Sequence, residues 1–277
     1  MTDGGASERT GRRALVAAAP ALVLLLIALW EIVAVERATA RAATEDDWQR
    51  LSTAVRERHR PSDLIVFAPG WIDPLGREHL GDLIPVEMAA RMDAARYDVV
   101  WEVALGDARA PETEGLEPDW SGRFGRLTAR RYQREPEAIA ADLVQAFPQA
   151  TVEGKAAGTP AVSLEEVGFA PHRCVKVIPR PGETVSIVYR DVELGRRLVG
   201  YVGLADVFTR RDVRAPGQLT VRVGGAQVAE VTAGVEDGWI RFEAPTSGGT
   251  GEIRFEATAV GRDARDRRIC FAAETRR

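Results

Sequence analysis

The chain is poor in the residues that carry most enzyme chemistry. It has two cysteines and three histidines in 277 residues. His59 and His172 are isolated, and His79 has no second histidine nearby, so no pair stands at metal-ligand spacing. There is no G-x-S-x-G, no P-loop and no G-x-G-x-x-G after a strand, so the standard hydrolase and nucleotide signatures are missing. Lysine occurs only at Lys155 and Lys176 against abundant arginine, which reads as GC-rich coding and a bacterial source. The net charge is -4 and the basic residues form no dense cluster, which disfavours nucleic-acid binding. After residue 35 no apolar run is long enough to cross a bilayer.

One such run does exist. Ala14 to Trp30 is unbroken, and after Glu31 it continues through Ile32 to Val35. A span needs roughly 20 apolar residues, so residues 14–35 are expected to cross the membrane once. Arg9, Arg12 and Arg13 precede the run, so residues 1–13 should be a cytoplasmic tail and the bulk should be exported. The competing reading is a cleaved signal peptide ending at Ala38-Thr39-Ala40. Either reading exports the bulk of the chain, and no cysteine stands at lipobox distance. The expected location is a bacterial inner membrane, single-pass, with the C-terminal bulk in the periplasm.

Residues 36–60 read as a helical stalk, with Trp48, Leu51 and Val55 at helical spacing. Residues 61–155 read as a small α/β domain. Asp63 to Ala68 is a buried strand, Pro69 to Gly76 a loop, Pro85 to Arg96 a helix and Tyr97 to Leu105 a second strand. Residues 106–123 read as a loop and Arg126 to Tyr132 as a third strand. Pro136 opens a helix carrying Ile139, Leu143 and Phe147. After a linker over 156–167, residues 168–277 read as an all-β sandwich of jelly-roll type. Its strands are Thr184–Tyr189, Leu198–Leu204, Leu219–Val223, Gln227–Val231, Trp239–Phe242, Glu252–Thr258 and Arg268–Ala272, with Gly224-Gly225 as a tight hairpin. The expected fold class is α+β: one transmembrane helix, a small α/β domain and a C-terminal β-sandwich.

In an oxidising compartment an even cysteine count suggests a disulfide. Strand parity puts Cys174 and Cys270 on the same kind of sheet face, opposite their apolar neighbours. A Cys174–Cys270 bridge is expected, and two separate thiols are the alternative.

Three segments carry a resemblance: Pro61-Ser62-Asp63 leading into Leu64 to Phe67, Tyr97-Asp98-Val99-Val100-Trp101, and Arg123-Phe124-Gly125-Arg126-Leu127. Together they resemble the soluble extracytoplasmic module of multi-spanning membrane glycosyltransferases of the GT-C type, which use lipid-linked sugars. Those enzymes place their catalytic acid between transmembrane helices, and this chain has one expected helix. The resemblance therefore implies the soluble module without its catalytic membrane core. The sandwich resembles carbohydrate-binding jelly rolls in architecture, and fold alone does not fix function.

Two sets of candidate residues follow. Trp71, Asp73, Glu78, His79 and Asp82 lie after the first strand, where α/β folds bind ligands. Asp73, His79 and Asp82 could do acid–base work, and a polar surface loop is the plainer reading. On the sandwich Tyr201, Phe208 and Trp239 could stack on a sugar face, or could be core. Asp206 with Arg210 and Arg211 makes a polar loop there. Trp120 reads as an aromatic exposed in a loop. No cofactor and no metal are expected. The leading expectation is a non-catalytic protein that binds glycan or partner proteins and assists a membrane glycosyltransferase. A hydrolase or transferase using the 71–82 loop and a structural assembly subunit are the alternatives.

Overall fold

Two runs of buried apolar residues set the first sheet in the computed structural model, which describes residues 20, 22–37, 42–205, 216–261 and 267–277. Strands β1 (Leu64–Ala68) and β2 (Val99–Leu105) are buried along nearly their whole length. Strands covered on both faces lack polar alternation, as here. They run parallel, with Leu64 opposite Val100. Two antiparallel strands, β3 (Trp120–Phe124) and β4 (Leu127–Gln133), complete the order β1-β2-β4-β3.

Residues 22–37 form helix α1, whose apolar side chains are exposed. Among the described residues no helix is long and apolar enough to cross a membrane. The expected span begins at Ala14, outside the described residues. Helix α2 (Glu45–Arg56) starts afresh at an N-cap, where the Thr44 side chain and Asp47 bond each other's backbone N–H. It is not the free stalk that its spacing suggests. Trp48, Leu51 and Val55 are buried in the core of the first sheet. Residues read as a loop after β1 instead make helix α3 (Asp73–Leu80), with Pro74 in its first turn. The helix expected over Pro85 to Arg96 shrinks to α4 (Val86–Ala89). Beyond it the backbone is captured from outside: the Ala90 carbonyl accepts the Arg173 N–H at 2.9 Å.

The helix expected after Pro136 is absent. Ile139–Asp142 is strand β5, and the Asp142 carboxylate then accepts the N–H groups of Val144 and Gln145. A side chain that bonds the following backbone in this way favours a turn over a helix. The remaining strands are β6 (Thr151–Glu153), β7 (Ala161–Val167), β8 (Ala170–Val177), β9 (Thr184–Glu193) and β10 (Arg197–Leu204). They continue with β11 (Gly217–Val223), β12 (Ala226–Ala233), β13 (Ile240–Pro245), β14 (Thr250–Ala259) and β15 (Ile269–Arg276). One sheet has the order β13-β10-β15-β8-β7 with β5 also on β15, and the other β12-β11-β14-β9-β6. Strand β7 occupies most of the expected linker. The two sheets share one apolar core, in which Phe255 and Phe271 stack at 4.7 Å. Gly224 and Gly225 turn the β11–β12 hairpin with φ of 57° and 84°, the left-handed values such a turn needs.

Cys174 and Cys270 form the expected disulfide, their Cα atoms 5.5 Å apart on neighbouring strands β8 and β15. Parity put them on one face. That face is the outer side of the sheet, opposite Val175 and Phe271 of the core.

Inside the first unit Glu102 is fully buried. It accepts from Ala110 N–H at 2.7 Å, from Arg130 at 2.6 Å, and from the Thr113 hydroxyl. Burial opposes its charge, but the bonds from Thr113, Ala110 and Arg130 outweigh burial and hold the carboxyl below its ordinary value. A carboxyl depressed by folding stabilises above its unfolded pKa, and the contribution is lost as pH falls through the folded value. Glu102→Gln should therefore cost about 3 kcal/mol at neutral pH, since it strips charge from a buried donor cluster. It should also shrink the stability difference between pH 7 and about pH 4 in urea unfolding. An unchanged difference would show that Glu102 does not govern acid stability.

Candidate functional site

The outer face of the six-stranded sheet does not meet solvent everywhere. Tyr201 alternates with core residue Val202 and so points outward, and Trp239 leads into β13 beside it. The segment after α4 runs across this face. Its three successive residues hold three rings. The His172 Nδ1 lies 3.4 Å from the Arg91 carbonyl, Trp239 donates to the Met92 carbonyl at 3.4 Å, and the Tyr201 hydroxyl donates to Asp93 at 3.4 Å. The rings are stacked with nearly parallel planes: the centroids of His172 and Trp239 lie 4.4 Å apart at 14°, and those of Tyr201 and Trp239 5.9 Å apart at 9°.

These rings form one wall of a cleft of ≈ 1020 Å³ between the first sheet and the sandwich. The opposite wall comes from the end of β1 and the start of α3, including Trp71, Asp73 and Arg77. Trp71 is 67% exposed and Phe169 is 70% exposed at this cleft. Phe169 sits at the tip of the β7–β8 hairpin with φ of 69°, directly after Gly168 at 62°. A bulky residue in the left-handed region costs roughly 1–2 kcal/mol, and such strain concentrates at functional positions.

Three sequence-expected ligand residues, Trp71, Tyr201 and Trp239, thus line one cavity although they come from distant parts of the chain. Trp120 does not join them. It lies in strand β3 and not in a loop, tilted against Trp101 at 5.5 Å with the Arg58 guanidinium 5.1 Å above its ring. Asp73, His79 and Asp82 each have a different partner. Asp73 accepts from Arg77 at 2.6 Å, His79 stacks on Trp48 at 5.1 Å, and Asp82 pairs with Arg56. Of these three only Asp73 lines the cleft. Asp206, Phe208, Arg210 and Arg211 lie outside the described residues. Phe169 and His172 were not singled out by sequence as ligand residues. The signal for Phe169 was an aromatic beside a glycine between two strands. Among the described residues no group of three or more His, Cys, Asp or Glu is placed to hold a metal ion.

Burial is the main force on the cleft's titrating groups. It pulls His172 down to about 4 from the ordinary 6.5, and the nearby Arg91 charge adds to this. It raises Tyr201 to about 12, helped by the Asp93 carboxylate. Both rings are therefore neutral near pH 7. In the unfolded chain His172 takes its proton near 6.5, and in the fold it resists until about 4. The unfolded state then binds more protons across that window, so stability falls as pH drops through it. His172→Phe, which keeps a ring against Trp239, should reduce the loss of urea stability between pH 7 and pH 5. An equal loss in the variant would show that His172 titrates normally.

No family model matches the chain, and no curated protein matches it. Solved structures with some similarity include the CBM51-2 and INT domains of ZmpB from Clostridium perfringens. The identity there is 14%, covering 54% of this chain and 34% of that chain, with a TM-score of 0.33. The tandem CBM51 modules of a family 98 glycoside hydrolase from Streptococcus pneumoniae are 12% identical, covering 55% of this chain and 56% of that one, at 0.35. The C-terminal CBM6 of the laminarinase LamC from Zobellia galactanivorans is 13% identical, covering 45% and 99%, at 0.26. The chain spans about a third of the first of these structures. TM-scores this low do not establish a shared fold.

Proposed function

We propose that this protein is a non-catalytic glycan-binding protein held at the outer face of a bacterial inner membrane, and that the cleft between its sheet and its sandwich takes the sugar. The observation that carries this reading is the assembly of exposed aromatic faces with planar charged groups in one cavity. Trp71 and Phe169 are exposed at the cleft, while Asp73, Arg77, Arg91 and Glu112 supply donors and acceptors beside them. A pyranose has one apolar face and an equatorial belt of hydroxyls, and it needs both kinds of partner. The three stacked rings behind serve as a rigid wall, because each is fixed by a bond to the 91–93 backbone or side chain. Preorganisation of this kind lowers the entropic cost of binding.

A β-sandwich of jelly-roll type suits this role. So does an anchor over residues 14–35, supported by the apolar run in the sequence and by the exposed apolar surface of α1. The proposed partner is a membrane glycosyltransferase, supported by the three resembling segments. These segments fall on β1, on β2 and on the β3–β4 hairpin of one sheet.

The test of the sugar site is glycan-array binding by the full chain in detergent micelles. Saturable binding is expected, weakened at least tenfold by Trp71→Ala with the melting temperature unchanged. Phe169→Gly should act in opposite directions on fold and function. Glycine relieves the left-handed strain and should stabilise by about 1 kcal/mol, yet it removes a ring face and should weaken binding. Absence of binding to every glycan, or binding indifferent to both substitutions, would defeat the reading. For the anchor, alkaline extraction should leave the full chain in the membrane and release a chain lacking residues 1–35. Release of both would mean that the helix does not hold it there.

A further inference from the structure

Five arginines line the cleft: Arg77, Arg91, Arg134, Arg241 and Arg276. Four of them are already neutralised by the protein. Arg77 pairs with Asp73 at 2.6 Å, Arg91 with Glu112 at 2.8 Å, Arg276 with Asp93 at 2.7 Å, and Arg241 with Glu243. Arg134 is different. Its backbone N–H donates to the Asp98 carbonyl at 2.8 Å, but its guanidinium has no hydrogen-bond or ion-pair partner among the described residues. The side chain is half-buried.

A partly desolvated guanidinium without a counter-charge is unfavourable in the empty cleft and favourable once an anion arrives. Its planar fork of donors matches a carboxylate or a sulfate in two parallel bonds. Among the described residues the cleft carboxylates Asp73, Asp93 and Glu112 are committed to the arginines above, and Glu137 is held by Arg197 at 2.7 Å and by Arg276 at 3.2 Å. We propose that Arg134 recognises an anionic substituent on the bound sugar, so that the ligand is an acidic glycan carrying carboxylate or sulfate groups. This rests on the glycan-binding reading of the same cleft.

The charge does not come from the fold's own needs. Among the described residues no hydrogen-bond or ion-pair partner is lost when the Arg134 side chain is replaced, so Arg134→Gln should leave the melting temperature unchanged. The test is calorimetric titration of the full chain in detergent micelles with four probes. These are an oligogalacturonate, its carboxyl-reduced neutral counterpart, a sulfated oligogalactan and the desulfated form of that chain. An acidic member of either pair is expected to bind at least tenfold more tightly than its neutral counterpart. That preference should weaken as salt is raised. Arg134→Gln should abolish the preference, and Arg134→Lys should keep only part of it, because a point charge replaces the fork.

Preference for the uronate pair would assign a carboxylate, and preference for the sulfated pair a sulfate. Both support the proposal. Equal binding of acidic and neutral chains, unaffected by Arg134→Gln, would overturn it while leaving a neutral glycan site in place. Failure of all four chains, together with a blank glycan array, would remove both readings at once.

Discussion

Arg276 fixes the geometry of this protein. It is almost wholly buried on the last strand, against Asp93, Glu137 and Glu274. Glu274, itself buried, is shared with Arg96 from the first unit. Burial pushes the Glu274 carboxyl up, and the two arginines pull against that push. A buried ion network of this kind adds little net stability, because desolvation consumes most of the attraction. Its effect is on arrangement. Each charge is costly without its partners, so the segment after α4 can lie on the outer face of the sandwich in one register only. That register carries Arg91, Met92 and Asp93 to the three rings of the cleft wall.

The second consequence is rigidity where a ligand would need it. The disulfide joins β8 and β15, and His172 lies on β8 two positions before Cys174. The disulfide thus ties β8, which carries His172, to β15, which carries Glu274 and Arg276 of the ion network. At the rim of the cleft Trp71 and Phe169 are the exposed aromatics. A stiff wall and exposed ring edges suit recognition of a ligand with one flat face.

Most sandwich strands were legible because they alternate, as in Ile253-Arg254-Phe255-Glu256-Ala257, and because Gly224-Gly225 marks a hairpin. Strand parity also gave the disulfide. What escaped sequence reading has physical causes. Ile139, Leu143 and Phe147 imitate a helical stripe, yet Asp142 turns the backbone and the apolar residues pack on the sandwich. The stripe Trp48, Leu51 and Val55 is helical as expected, but its spacing could not say that the helix docks on a sheet. Trp120 was read as exposed because its neighbours are turn formers, whereas pairing with Arg131 makes it part of a strand. The cleft itself could not be read at all. Tyr201 and Trp239 are bonded by the segment after α4, Trp71 lines the opposite wall, and nothing local to any of them encodes that arrangement.

The strand order has a consequence for how the chain closes into its fold. Strand β15 sits in the middle of its sheet, with β10 on one side and β8 and β5 on the other. The β7–β8 hairpin and the β10–β13 pair can each form without it, but β15 alone joins the two among the described residues. That sheet therefore closes through pairings that are distant in sequence, which form slowly and leave apolar surface open in the meantime.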